Sequence, residues 1–174
     1  TLLSLSRNLF FYNHIKLNDS FETRILLMLF HFSILMIVSK IKGKKFDQKS
    51  YDSLFHNIEN NLRELGLGDV AVNKKMKDLN KILYDILLKI NLINSKDKKF
   101  KLNKKIVFKY FDKEVNKNAV NYDILEVYFD DFFKFCFELS LDNMIQNAKN
   151  YKISYGCTKK KNLCIEKKNE KISS

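Results

Sequence analysis

Residues 20–41 read SFETRILLMLFHFSILMIVSKI, and this stretch decides the fold. No charged side chain occurs from Ile25 to Ser39, and apolar residues occupy every side of the helix that the pattern predicts. At about 1.5 Å per residue the uncharged run is shorter than a hydrocarbon core of roughly 30 Å, and it contains His31 and Ser33. We therefore predict a central helix enclosed by other helices, in preference to a membrane span.

The residues before this stretch predict a short opening helix that ends near Asn13. Its apolar residues recur at helical spacing, at Leu2, Leu5, Leu9 and Tyr12. These residues lack the basic and then apolar pattern of a signal peptide, so none is expected there. Asp19 and Glu22 have the spacing of a capping box, which predicts that they start the central helix.

The residues after the central helix predict a helical hairpin. Gly43 interrupts the pattern, and Asp47 can cap a third helix. That helix carries one apolar stripe, formed by Tyr51, Leu54, Phe55, Ile58, Leu62 and Leu65. Gly66 is placed to end it in a left-handed conformation, with Leu67 making the accompanying apolar contact. A fourth helix follows, with its seam at Val72, Met76, Leu79, Leu83, Ile86, Ile90 and Ile93.

The second half of the chain predicts a lysine-rich peripheral segment and one more long helix. Leu102, Ile106 and Tyr110 permit a short helix between lysine-rich connections, which we interpret as a linker or flap. The last long helix should cover 122–139 and a short one 140–149. Its inward face is predicted at Leu125, Tyr128, Phe132, Phe135 and Leu139, widened by Phe129, Phe133 and Phe137.

The predicted fold is an all-α, single-domain bundle of about five to seven helices around the central hydrophobic helix. Residues 1–150 form this domain, and 151–174 are expected to be a basic, disordered tail because nothing periodic is left to bury. No alternating apolar and polar run suggests a sheet. The net charge of +12 is typical of proteins that bind nucleic acid, the ribosome or anionic lipid, but lysine-rich compositional bias explains it equally well.

Several chemistries are disfavoured by spacing. The histidines His14, His31 and His56 lie on different segments, so no metal site is predicted, and no glycine-rich loop suggests a nucleotide cofactor. The three cysteines are interpreted as reduced and unpaired, with Cys136 a small buried hydrophobe. An acidic cluster on the last helix is interpreted as a solvated face rather than an acid–base pair, at Asp123, Glu126, Asp130 and Asp131. No enzyme activity is therefore expected.

Residues 63–77, RELGLGDVAVNKKMK, resemble the signature of the ubiquinol-cytochrome c chaperone family over a long gapless run. Upstream, the DSF run at 19–21 with Arg24, and the LFH run at 29–31, resemble a second family element. Two departures occur. Asn73 stands where the family has proline at the start of the fourth helix, and could cap it instead. Only Tyr84 matches the later element, so the family's following Gly-Arg pair is replaced by Asp85 and Ile86.

The resemblance implies a non-enzymatic assembly factor for respiratory complex III, without cofactor or small-molecule substrate. Its expected partner is newly made cytochrome b or another complex III subunit, and the ribosome or membrane could lie against a basic face. The carried-over client or partner residues are Arg24, His31, Arg63, Gly66, Gly68, Asp69 and Tyr84. The basic face is predicted at Lys74, Lys77 and Lys81, along one side of the fourth helix.

Structural interpretations compete with these assignments. A buried His31 is more often a hydrogen-bonded core group, the lysines can be an ordinary solvated face, and the glycine corner can be purely structural. Two other functions stay open: a basic helical adaptor for RNA, the ribosome or an anionic membrane, and a small helical enzyme that uses His31 or the acidic cluster. The expected location is the bacterial cytoplasm beside the inner membrane, or the mitochondrial matrix side in a eukaryote.

Overall fold

Helices form nearly all of the chain that this computed structural model describes, which covers residues 2–93, 99–102, 104–111 and 122–151. The elements are α1 (Leu2–Ser6), α2 (Leu9–Asn13), α3 (Phe21–Ile41), α4 (Gln48–Glu64), α5 (Asp69–Lys89), β1 (Asn91–Ile93), β2 (Lys99–Lys101), α6 (Lys104–Phe111), α7 (Tyr122–Glu138) and α8 (Met144–Asn147). Single 3₁₀ turns flank α8, at Leu141–Asn143 and Ala148–Asn150. The predicted all-α helical bundle is confirmed.

A short pair of strands occurs, which no alternating run in the sequence suggested. β1 and β2 pair antiparallel, with Leu92 opposite Phe100, immediately after α5. Each strand has three residues, which is too short for an alternating pattern to be recognised in the sequence. The hairpin lies between two helices and does not change the fold class.

Helix α3 is the central element, as predicted. Every residue from Ile25 to Leu35 is buried, and α3 packs against α1, α5 and α7. Within the described residues it is the one helix long and apolar enough to cross a membrane, yet 78% of its most apolar window is buried by protein. A helix with no polar face needs neighbours on all sides, and here other helices supply them.

The start of α3 differs from the prediction. Ser20, not Asp19, is the N-cap, and its hydroxyl accepts a hydrogen bond from the Thr23 backbone N–H at 3.1 Å. Asp19 instead binds the Arg24 guanidinium through both carboxylate oxygens, at 2.7 and 2.8 Å. The serine is closer to the first helical residue, and serine caps as well as aspartate does, so the aspartate is free to pair with arginine.

The predicted opening helix is two helices. Asn8 interrupts it, because its side chain accepts a hydrogen bond from the Phe10 backbone N–H at 3.0 Å and so caps α2. The hydroxyl of Tyr12 donates to the Ser6 carbonyl at 2.6 Å and ties the two short helices together. A side-chain cap of this kind competes with helix continuation, which an apolar spacing pattern does not record.

The predicted hairpin of α4 and α5 is confirmed, and Asp47 caps α4 by accepting from the backbone N–H groups of Lys49 and Ser50. The Tyr51 hydroxyl donates to the Asn80 side chain across the pair. The capping role suggested for Asn73 is wrong, because α5 begins at Asp69 and Asn73 lies on its second turn. Gly68 is the N-cap, with extended backbone and no side chain to accept a bond.

The segment interpreted as a linker or flap is partly core. Leu102, Ile106 and Phe111 are buried, and the Phe111 ring lies 5.4 Å from Phe30 of α3, centroid to centroid. Residues 94–98, 103 and 112–121, which contain the lysine- and asparagine-rich connections, lie outside the described residues. So does the predicted tail from 152 onward, with Cys157 and Cys164, while Tyr151 packs on α7.

The two corner glycines should respond oppositely to the same substitution. Gly66 has φ +85°, which a side chain opposes, whereas Gly68 has φ −70° at an N-cap that serine favours. No atom lies within 4 Å of a Cβ at either position, so crowding does not enter. We expect Gly66→Ser to lower the free energy of unfolding by about 1–2 kcal/mol and Gly68→Ser to leave it unchanged or raise it by a few tenths.

Urea denaturation followed by circular dichroism at 222 nm measures both variants. An equal loss of stability in the two would contradict the left-handed role assigned to Gly66.

Candidate functional site

His31 lies in the middle of the core, where α3 meets α7. Its Nδ1 lies 2.6 Å from the Leu27 carbonyl oxygen and its Nε2 lies 2.8 Å from the Tyr128 hydroxyl. A carbonyl only accepts, so Nδ1 carries the proton and Nε2 accepts from Tyr128. Rings of Phe11, Phe129 and Phe132 meet the imidazole at steep angles, with centroids 4.8 to 5.9 Å away.

This environment keeps the imidazole neutral. Burial lowers the pKa of His31 from 6.5 to about 4, and the hydrogen bond to the Leu27 carbonyl offsets that only in part. The side chain is fully buried, so it lies on no surface that a client could touch. The structure places His31 in the core, where the structural interpretation expects it, and its assignment to client or partner binding stays a prediction.

Arg24 lies at the start of α3, near the surface. The guanidinium pairs with Asp19, and hydrogen bonding to it lowers the pKa of the Asp19 carboxyl. The Tyr12 ring lies close to the Arg24 guanidinium. The pKa of the Tyr12 hydroxyl is raised, mainly by burial. Glu22, on the same turn, lies 3.6 Å from Lys75 of α5. Arg24 thus fixes how the chain enters α3, with about a third of its side chain exposed.

The corner between α4 and α5 is held by backbone and by charge. The Leu67 N–H donates to the Leu62 carbonyl and the Gly66 N–H to the Arg63 carbonyl, which together form a Schellman motif. The Arg63 guanidinium bridges the last turn of α4 to the first turn of α5, because it binds both Glu59 and Asp69. The predicted residues Arg63, Gly66, Gly68 and Asp69 are thus brought together at this corner.

Two aliphatic side chains flank the corner and are not packed by it. Leu65 is 60% exposed and Val70 is 85% exposed. The prediction that Leu65 lies on the apolar stripe of its helix is wrong, because α4 has already ended there and Leu65 is its C-cap. Both side chains are accessible to another molecule.

Tyr84 and the three lysines lie on the outward side of α5. Tyr84 is 57% exposed, and Lys74, Lys77 and Lys81 are all exposed. Lys81 pairs with Asp78 at 3.2 Å. The row predicted from the sequence is therefore on the surface, and its function stays a prediction.

Asp85 occupies a position where the sequence departs from the family pattern. Its carboxylate accepts from Lys89 and Lys109 at 2.8 Å each and from the Tyr110 hydroxyl at 2.7 Å. These bonds hold the pKa of Asp85 well below its usual range, Lys109 contributing most. Sequence reasoning missed this cluster because Lys109 and Tyr110 lie on α6, far along the chain. It fixes α6 beside the outward side of α5.

The Cys136 thiol and two carboxylates of the acidic cluster on α7 are held in structural environments. Burial raises the pKa of the Cys136 thiol far above neutrality, so it stays protonated. Asp130 and Asp131 both contact Lys134 on an exposed face of α7. In the described ranges no group of three or more His, Cys, Asp or Glu side chains lies close enough to hold a metal ion.

Stability should depend on pH through His31. The folded pKa of about 4 lies below the ordinary 6.5, so the unfolded chain binds the extra proton between these values and acid favours unfolding. The free energy of unfolding should be constant between about pH 7 and 8, below the titration of an unfolded thiol, and fall by up to about 1.4 kcal/mol per pH unit between pH 6.5 and 5, above the titration of the carboxylates. His31→Gln should flatten that slope, whatever its effect at pH 7.

Urea titrations at half-unit pH steps measure the slope. His56→Gln, at an exposed position on α4, is the matched control and should keep the slope of the parent chain. A slope that survives His31→Gln would show that another group titrates.

One family model matches this chain, and no curated protein and no solved structure does. The model is described as ubiquinol-cytochrome C chaperone, and it matches residues 13–115, more than half of the chain. The matched part includes α3, the α4–α5 corner and α6, while α7 lies beyond it. The resemblance noted in the sequence is thereby confirmed, and the chain belongs to the ubiquinol-cytochrome C chaperone family.

Proposed function

We propose that this protein is an assembly chaperone of ubiquinol–cytochrome c reductase and that it holds newly made cytochrome b. Family membership supports the complex III role. The observation that carries the client-holding part is the exposed apolar pair at the α4–α5 corner, Leu65 and Val70. Cytochrome b is a membrane protein, so its segments are apolar before insertion and need an apolar contact in water.

The corner suits a holding function because its backbone is hydrogen-bonded while these two side chains stay exposed. The Schellman bonds fix the backbone and Arg63 braces the two helix ends, so little conformational entropy is lost on binding. The charged brace beside the aliphatic pair also gives the contact a polar rim, as protein interfaces have.

A non-enzymatic role is part of the proposal. The imidazole of His31 is enclosed and bonded at both nitrogens, and the Cys136 thiol is buried and protonated. Neither group can reach a substrate in this arrangement. The carboxylates Asp130 and Asp131 are salt-bridged to Lys134 at the surface, so neither lies in the desolvated site that a general acid needs.

A basic adaptor is the second candidate, favoured by the exposed row of Lys74, Lys77 and Lys81. Such a protein would bind RNA, the ribosome or an anionic membrane in a salt-sensitive manner and would show no preference for cytochrome b. Under either proposal we place the protein in the bacterial cytoplasm beside the inner membrane, or on the matrix side of the mitochondrial one.

The corner is tested by replacing its aliphatic pair. Leu65→Ser with Val70→Ser should reduce the cytochrome b recovered by crosslinking pull-down from growing cells by about tenfold, because two apolar contacts are lost. Leu9→Ser with Val127→Ser is the matched control, since these are also an exposed leucine and valine but lie on α2 and α7. The control variant should recover as much cytochrome b as the parent chain.

The assembly role is tested in a deletion strain by the absorbance of haem b and by complex III activity. We expect both to fall and the full chain to restore them. Normal haem b and complex III activity without the protein would defeat the assembly proposal, and equal losses for the two serine pairs would defeat the corner as the contact.

A further inference from the structure

The outward side of α5 carries a second periodic stripe, opposite the one that packs in the core. Core positions along α5 are Val72, Met76, Leu79, Leu83, Ile86 and Ile90. The exposed positions, which we call the outer stripe, are Val70, Lys74, Lys77, Lys81, Tyr84 and Leu88. Their spacing alternates between four and three residues, so they form one line along the helix.

The ends of the outer stripe are apolar and its middle is basic. Val70 and Leu88 are 85% and 82% exposed, and Tyr84, one turn before Leu88, is 57% exposed. Val70 and Leu88 are 18 positions apart, which is about 27 Å at 1.5 Å per residue. This is the length of five helical turns, and its 3.5-residue period is that of a seam between two packed helices.

Two of the three lysines in the middle of the outer stripe have no ion-pair partner among the described residues. Among the described residues, no carboxylate is paired with Lys74 or Lys77, whereas Lys81 contacts Asp78 at 3.2 Å. A partner's carboxylates can therefore pair with the first two lysines without displacing a bond of the chain's own. A partner surface that matches the outer stripe is therefore acidic in its middle and apolar at its ends.

The composition of the stripe favours a helix over a membrane surface. A helix that lies on a bilayer buries a continuous apolar face beside its lysines. The outer stripe instead has Val70 at one end, Tyr84 and Leu88 at the other, and three lysines between them. A helix is narrow enough to contact the line alone, because packed helices lie about 8–10 Å apart.

From these observations we infer that the outer stripe of α5 binds one amphipathic helix of a partner protein, with carboxylates facing Lys74, Lys77 and Lys81 and apolar side chains facing Val70 and Leu88. This interface goes beyond the proposed function, since its partner is defined without reference to cytochrome b, and it shares only Val70 with the corner. Leu88 lies five turns from the corner, so a variant there separates the two surfaces.

The first test locates the partner. A photoreactive phenylalanine analogue replaces Val70 or Leu88 in the full chain, and crosslinked peptides from growing cells are sequenced by mass spectrometry. We expect both positions to crosslink to one segment of one protein, at residues about 18 apart, with Asp or Glu at heptad spacing between them. Crosslinks that go to RNA or to lipid at both positions, or to two unrelated segments, would overturn the inference.

The second test measures the interface with a synthetic, fluorescently labelled peptide of the crosslinked segment and the purified full chain. Lys74→Glu, Lys77→Glu and Lys81→Glu together should weaken binding by about tenfold or more, and Leu88→Ala by several-fold. The control changes Lys45, Lys49 and Lys149, which are exposed outside the stripe, to Glu. Each triple lowers the net charge of +12 by the same six units, so bulk charge is matched.

Circular dichroism of both triples confirms that helicity is kept, and Leu88→Ala gives an independent measurement if the stripe triple unfolds. Equal weakening by the two triples would mean that net charge alone attracts the peptide, and it would overturn the stripe as a docking site. Vesicles containing phosphatidylglycerol and a ribosomal RNA fragment are titrated alongside. Binding of either that is lost only in the stripe triple, with the peptide unaffected, would likewise overturn the inference.

Discussion

Everything in this fold depends on the burial of α3. Eleven consecutive residues from Ile25 to Leu35 have no solvent-facing side, so the helix is stable in water only when it is covered all round. α1, α5 and α7 provide that cover, and the two polar side chains within this run are hydrogen-bonded. Ser33 donates to the Leu29 carbonyl at 2.7 Å, and His31 uses both ring nitrogens. The surface that remains for binding is the outside of the helices that do the covering.

The family signature therefore divides into two physical groups. His31 and Gly66 shape the protein, the first by joining α3 to α7 and the second by turning α4 into α5. Arg63 and Asp69 brace the corner from the exposed side, and Tyr84 lies on the outer side of α5. Matching a signature thus identifies a fold and a family, while only part of it lies where a partner can reach.

The sequence was sufficient for elements whose cause is local or periodic. The limits of α3, the Asp47 cap and the left-handed Gly66 follow from apolar runs, a single capping side chain and a glycine after an amphipathic stripe. Where two adjacent residues can both cap a helix, the sequence did not show which one does so. Ser20 caps α3, although Asp19 caps helices equally well. Contacts between distant segments were missed for another reason. The ion pairs of Asp85 with α6 and the His31–Tyr128 hydrogen bond produce no periodic pattern in the sequence.

The order of the covering helices has a consequence for synthesis. Tyr128, which completes the His31 environment, follows it by 97 residues, and α7 starts 81 residues after α3 ends. At ribosomal speeds of about 5–20 residues per second, α3 waits roughly 4 to 16 s for its last neighbour. During that interval α3 has the length and apolarity of a membrane span and lacks the cover that α7 later provides. The order of the helices along the chain therefore leaves the most apolar element incompletely covered until most of the protein has been made.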